Sequence, residues 1–376
     1  MIEQSAANLS VFDLLAMSWT LEEEIARSEV SSDGQHSIFQ QASGKLAIMR
    51  TSDAESPARR MTIDKESGRT TIRPRTTPPM PPVRSGILTR PDLPVVRFGT
   101  GDFAAVSESG AVCQVTARGQ VLERLSNEGG PATAFCGDLS GSRLALAREK
   151  DLLIFDVASA EVAASVQLRH CVSCLAMDPN GSRVVAWGEN SVSIVDWSQK
   201  EADIKTFACE GDVVDMSWSS SASHVACGSV DNTMLIIDCS TKQIQRVEGF
   251  PGAVRCVAFS EPGHALVASG AFRLVAWAED DLPLKDEPGT SLVSGKTGFV
   301  VIDRIAAHPT RGLVASGYAN GLISVTGIGT PDELILRKRS SAAVTALRWS
   351  PDGTHLIVGD AGGDCSIVTL PEKMFK

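Results

Sequence analysis

The residues that come nearest to a reactive site form the run Gly289-Thr-Ser-Leu-Val-Ser-Gly295-Lys296-Thr297. A phosphate-binding loop needs four residues between its glycines and a helix directly after the Lys-Thr pair, so that backbone amides point at the phosphate. This run has one residue too many, and the Phe299-Val-Val-Ile302 that follows reads as strand. Nucleotide binding is not expected there. His170, Cys171 and Cys174 look like half a metal site, but zinc needs four ligands and no second pair stands at the required spacing. Two cysteines three apart on a strand point to opposite faces, which makes them core thiols. There is no GxSxG elbow and no HExxH pair. The six histidines, His36, His170, His224, His264, His308 and His355, fall at turns or strand starts. Glu279, Asp280, Asp281, Asp286 and Glu287 crowd into one insertion, with no apolar pocket indicated that would raise a pKa, so they read as a solvated loop. No catalytic, cofactor-binding or metal-ligating residue is assigned, and no cofactor is expected.

Composition narrows the class. With 43% hydrophobic residues over 376 and a mean hydropathy near zero, the chain has enough apolar side chains for a packed core. No apolar run is long enough for a transmembrane helix, and no leader-like segment opens the sequence. Nine cysteines, an odd number, are scattered mostly through apolar runs, which suits a reducing compartment, and a cytoplasmic location is expected. The net charge of −10 divides into −5 over residues 1–49, +5 over 50–90 and −10 over the remainder. An acidic main body argues against a nucleic-acid channel, because phosphate binding needs concentrated Lys and Arg.

Self-similarity at about 40 residues then organises the chain. Seven segments share one plan: a short strand ending in a large residue, a polar turn, a small-residue apolar strand, a tight turn and a β-rich strand often closed by an acid. Their anchors are Phe98, Phe135, Met177, Trp218, Phe259, His308 and Trp349. The turns after them include Asp178-Pro-Asn-Gly and Ser350-Pro-Asp-Gly, the chemistry of a tight reversal. Alternation without a 3.6-residue period predicts four short antiparallel strands per unit.

These units resemble WD repeats, with the acid after the third strand at Asp156, Asp196 and Asp238. The resemblance covers roughly residues 85–371 and is nearest to divergent bacterial WD-repeat proteins. It lacks the Gly-His dipeptide and most Trp-Asp pairs, so the buried His, Ser or Thr, Trp and Asp network of the family is expected to be largely absent. The resemblance implies an all-β, seven-bladed β-propeller of four-stranded antiparallel blades over residues 85–376. The last unit lacks an outer strand, and Gly86–Arg90 is the candidate to supply it.

Residues 1–84 are expected to form a separate N-terminal arm. Ser10 to Arg27 reads as an amphipathic helix capped by Ser10, from the spacing of Val11, Leu14, Leu15, Leu21 and Ile25. Residues 61–73 hold a possible hairpin, and 74–82 a proline-rich linker. An eighth, degenerate blade is the alternative.

The functional expectation is a non-catalytic protein–protein interaction scaffold that docks a complex through a propeller face and the arm. The family pattern implies a partner face bearing Glu128, Glu189, Asp212, Asp231, Phe250, Phe272, Tyr318 and Asp360. Acids favour a basic partner and aromatics serve as anchors. The basic residues Arg59, Arg60, Arg69, Arg73, Arg75 and Arg84 offer such a partner within the same chain. Alternatives are nucleic-acid or anionic-surface binding through residues 50–90, and a hydrolase with a central-channel site.

Overall fold

A computed structural model describes residues 9–63, 70–198, 201–285 and 287–371. Runs such as Arg143–Arg148 (RLALAR), Arg183–Gly188 (RVVAWG) and His224–Ser229 (HVACGS) are strands whose successive side chains point to opposite faces, yet nearly every residue in them is buried. Both faces of each sheet must therefore be covered, and a ring of sheets standing side by side does this. Leu144 and Leu146 pack against the preceding blade, while Ala145 and Ala147 pack against the next. Eight apolar clusters each join two successive blades, and the eighth joins the last blade to the first.

The ring thus has eight blades, one more than the repeats predict. Their inner strands are Ile25–Val30, Val96–Phe98, Ala134–Gly137, Cys174–Met177, Val213–Trp218, Val257–Ser260, Ile302–Ala307 and Val344–Trp349. Seven blades are four-stranded antiparallel sheets. Blade six has three strands, with residues 290–292 only bridging its edge through Ala278 N–H to Thr290 O and Leu292 N–H to Ala276 O, at 2.9 and 2.8 Å.

Blade one is built from what the sequence suggests is a separate arm. Its strands are Ile25–Val30, His36–Gln41, Lys45–Arg50 and Val83–Leu88. Residues 51–82 are inserted between its third and fourth strands, so its anchor region lies 68 residues before Phe98 (Val30 to Phe98), beyond the period that exposes the other units. The expected helix shrinks to Val11–Leu15. Ser10 caps it reciprocally with Asp13, and Phe12 and Leu15 are buried against blades seven and eight. Beyond Leu15 the chain is strand, because Ala16, Met17, Leu21 and Ile25 are claimed by sheet neighbours and not by a helix face.

Ring closure also differs. Ala16–Thr20 pairs antiparallel with Asp364–Thr369 as the outer strand of blade eight, in the register Ala16↔Val368 to Thr20↔Asp364. Gly86–Leu88 instead lies in the outer strand of blade one, paired with its third strand. The insertion lies along the seam. Trp19 Nε1 donates to Met80 O at 2.8 Å, and buried Arg60 donates to Glu55 O, Arg73 O and Leu14 O at 2.6–2.7 Å. Residues 74–82 are therefore a strap within blade one and not a linker between domains. Met61–Ile63 pairs with Thr70–Ile72, and the turn expected over Lys65–Arg69 lies outside the described residues.

Arginines stitch neighbouring blades at the turns between first and second strands. Arg97 Nη1 donates to Leu139 O, Arg143 Nη1 to Gly181 O and Arg183 Nη2 to Ala222 O, at 2.6, 2.6 and 2.7 Å. Anchors do the same between inner strands: Trp218 Nε1 reaches Ala176 O and Trp349 Nε1 reaches Ala306 O, both at 3.0 Å.

Candidate partner-binding face

One face of the ring is formed by the turns between second and third strands together with the loops leading into each inner strand. The two sets are hydrogen-bonded to each other: Val172 N–H to Glu149 O, Cys209 N–H to Asn190 O, Val230 N–H to Asp212 O and Ser340 N–H to Asn320 O, at 2.7–3.1 Å. Glycine makes the close approach possible in blade one, where Gly44 has φ +83° and a Cβ there would lie 1.9 Å from Thr89 O.

The residues expected on this face divide by exposure. Glu128, Glu189, Asp212, Asp231 and Phe272 are exposed. Phe250, Tyr318 and Asp360 are not, which corrects their reading as surface contacts. Phe250 packs between blades five and six with its ring 6.5 Å from that of Trp277, and Tyr318 fills the core between blades six and seven. Asp360 accepts from Arg337 at 3.1 Å and from the amides of Gly362 and Asp364, so its charge is used to shape a turn. Asp231 is ion-paired with Arg246.

Between blades four and five the face opens into a groove of about 410 Å³. Glu189, Asp212, Val214 and Val230 line it, above the buried Trp187. Carboxylates beside exposed valines suit a basic side chain with an aliphatic stem. Hydrogen bonding to the Cys171 amide holds Glu189 below the usual carboxylate range, so it stays charged at neutral pH.

Blade six supplies a feature that sequence reasoning missed. The insertion after its third strand returns to the face, where Gly298 N–H donates to Phe272 O at 2.8 Å and Ile302 N–H to Ala271 O at 2.9 Å. Phe299 is thereby delivered beside the Phe272 turn and stands 99% exposed, with Phe272 at 40%. The available signal was an aromatic residue directly after glycine in a Ser/Thr/Gly-rich insertion, read instead as the start of a strand. The same loop disposes of the phosphate-loop reading: no helix follows Lys296, Ser294 is fully buried, and Gly295 N–H is taken by Thr330 O.

Other sequence candidates resolve locally. Among the described residues no three His, Cys, Asp or Glu side chains are grouped to hold a metal ion. His170 Nε2 lies 2.8 Å from Ser193 Oγ, which lies 2.8 Å from Thr206 Oγ1, so blade four keeps one buried polar relay where little of such a network is expected. Asp281 is tied to Thr290 through its carboxylate and its carbonyl, and Asp286 lies outside the described residues. Among its described residues, the basic segment is not the face's internal partner. It joins strands at the opposite side of blade one, Arg75 pairs with Asp53, and Arg60 is consumed by carbonyls.

Residues 202–238 and 334–368 match the family described as WD domain, G-beta repeat. Each match takes the outer strand of one blade and the first three of the next. Two curated relatives come from Schizosaccharomyces pombe. The chain is 27% identical over 169 residues to a poly(A)+ RNA export protein, covering 44% of this chain and 46% of that one. It is 34% identical over 128 residues to a periodic tryptophan protein 2 homolog, covering 33% and 14%. The matched region thus spans less than half the length of either relative. Both are fungal, and they lend nothing to the bacterial resemblance expected from the sequence. Among solved structures, the computationally designed Ika8 protein aligns with TM-score 0.62 at 17% identity, over 93% of this chain and 98% of that one. A chain of a mitotic checkpoint complex aligns with TM-score 0.59 at 16% identity, over 76% and 90%. The Cps50 (Swd1) β-propeller domain of Myceliophteria thermophila aligns with TM-score 0.56 at 13% identity, over 94% and 100%. At such identities the likeness is one of fold.

Proposed function

We propose that this chain, whose repeat matches and propeller neighbours support a WD-repeat propeller, is a non-catalytic scaffold that docks a protein partner on the face bearing Phe272 and Phe299. The observation that carries the reading is the wholly exposed Phe299 ring beside half-exposed Phe272. Leaving a ring of that size in water forgoes about 2 kcal/mol that burial would return, and aromatic side chains are the usual anchors of interfaces. The exposed acids Glu189 and Asp212 lie on the same face and supply the charge that orients a basic segment. A solved relative in fold is part of a mitotic checkpoint complex, and a curated relative is named for poly(A)+ RNA export, which supports assembly work in general. A cytoplasmic location is part of the same proposal, and nine free thiols suit such a reducing compartment. Among the described residues no helix is long and apolar enough to cross a membrane.

The test is quantitative capture with the full chain. Partners recovered with the parent protein are compared with those recovered by Phe272→Ser/Phe299→Ser and by Glu189→Lys/Asp212→Lys. Specific partners should fall by about tenfold or more with the first variant, since the loss of even one interface anchor costs that much. An unchanged partner set from both folded variants would refute this face as the docking surface.

A further inference from the structure

The inner strands are mostly apolar, and the charges they carry are unevenly placed. Four arginines (Arg27, Arg97, Arg304, Arg348) and three carboxylates (Glu29, Asp215, Asp303) stand on them, a positive balance in a chain whose net charge is −10. Arg27 of blade one lies within electrostatic reach of Cys174 of blade four, Asp215 of blade five and Arg304 of blade seven, and Asp215 within reach of Arg304 and of Arg348 of blade eight. Residues from blades so far apart on the ring can meet only across its central channel.

How the arginines are held decides what the channel can do. Arg27 donates from Nε to Pro91 O at 3.3 Å and from Nη2 to Asp92 O at 2.9 Å. Arg304 donates from Nε to Thr345 O at 2.8 Å and from Nη1 to Asp303 O at 3.3 Å. All four acceptors are backbone carbonyls, which fix a guanidinium without neutralising it. Arg348 meets Glu29 at 3.5 Å, but Glu29 is shared with Arg97 at 3.3 Å, so two cations divide one anion. Among the described residues neither Arg27 nor Arg304 has a carboxylate within ion-pair distance, and Asp215 has no cation so close; its Oδ2 accepts from Val257 N–H at 2.9 Å. Positive groups are thus positioned around the channel with spare N–H donors and separated from the carboxylate they face.

We propose that the central channel binds a compact multivalent oxyanion of the phosphate class, held by Arg27 and Arg304 with Arg348 contributing charge. Guanidinium groups pair with phosphate oxygens through two parallel N–H donors, which a monatomic anion cannot accept. Asp215 opposes the ligand while ionised. Burial pushes its carboxyl up to about 6 against the pull of Arg348, Arg304 and Arg27. The other titratable groups around it are the Cys174, Cys227 and Cys256 thiols, raised by burial and neutral at these pH values. Protonation of Asp215 therefore removes one negative charge from the site, and the anion binds more tightly as pH falls through about 6.

Calorimetric titration of the full chain with tripolyphosphate and with sulfate tests this, sulfate being a dianion on both sides of that pH. Saturable tripolyphosphate binding should weaken by about tenfold in Arg27→Gln and in Arg304→Gln, the scale of one lost charge-assisted contact. Sulfate should bind the parent more tightly at about pH 5 than at about pH 8, and Asp215→Asn should bind at about pH 8 as the parent does at about pH 5. Phe299→Ser should leave all of these unchanged, which separates the channel from the docking face. Absence of saturable binding, or equal binding by the parent and both arginine variants, overturns the proposal. If the arginine variants fail to fold, the Asp215→Asn comparison decides, and a pH response identical to the parent's is equally fatal.

Discussion

Glu29 of blade one lies 3.3 Å from Arg97 of blade two, with both side chains almost out of solvent. Arg348 of blade eight approaches the other carboxylate oxygen at 3.5 Å, so a single acid ties three consecutive blades across the junction between the first and the last. Burial alone would raise the Glu29 pKa, but Arg348 and Arg97 hold it below the usual carboxylate range. A depressed folded pKa contributes stability that is present above the unfolded value, near 4.3, and is lost as pH falls through the folded one. Glu29→Gln should destabilise the ring by about 3 kcal/mol at neutral pH, since two arginines lose their counter-charge. Chemical denaturation at several pH values should show that deficit shrinking below about pH 4; a deficit independent of pH would mean that packing and not charge is at stake.

Asp215 has the opposite sign. Its folded pKa, about 6, stands above the unfolded value, so its ionisation costs stability as pH rises through about 6, and that cost is absent below the unfolded pKa. Asp215→Asn keeps an oxygen for the Val257 amide and should raise the unfolding free energy by on the order of 1 kcal/mol at about pH 8, with no gain near pH 3. Equal stability of the two proteins at both pH values would contradict the assignment.

The nine thiols should be sluggish. Burial pushes Cys174 and Cys365 up to about 12 and Cys209 and Cys239 up to about 11. Cys171, partly exposed, is raised by its hydrogen bond with Glu189. Thiolate is the reactive form, so a disulfide reagent at about pH 8 should modify the native chain slowly and the unfolded chain fast. Glu189→Gln should speed the reaction of one thiol, Cys171, as mass mapping would show.

Removing residues 1–24 takes away the strand that pairs with Asp364–Thr369 and leaves that edge open. An unpaired edge recruits other chains, so the truncated protein should self-associate in light scattering. A peptide spanning residues 9–24 added in excess should reverse that self-association. If Gly86–Arg90 closed the ring, as the last repeat suggests, the truncation would be silent.

Much of the architecture was legible because a propeller writes its period into the chain. Trp218 and Trp349 stand at equivalent places for a reason visible in both blades, each indole bonding a carbonyl of the preceding inner strand. Blade one stood only as the alternative because residues 51–82 push its fourth strand beyond the period, and because Val11, Leu14, Leu15, Leu21 and Ile25 imitate a helical stripe while serving a helix, a turn and a strand. The face was half legible. Turn chemistry located Glu189 and Phe272, but sequence position does not tell an anchor from a core ring, and Phe250 and Tyr318 turned inward. Phe299 and the channel arginines depend on where a loop returns and on which blades oppose one another, and both are set by the ring as a whole.

The pairing of Ala16–Thr20 with Asp364–Thr369 also imposes an order of events. The first of these strands leaves the ribosome about 350 residues before its partner, an interval of roughly twenty seconds to a minute at ordinary rates of synthesis. Throughout that time blade eight does not exist, and an outer strand must wait, unmated, while seven other blades assemble around the gap it will fill. The chain cannot mature domain by domain as it emerges. The ring becomes a finished body in one late step, when two strands made far apart in time finally meet.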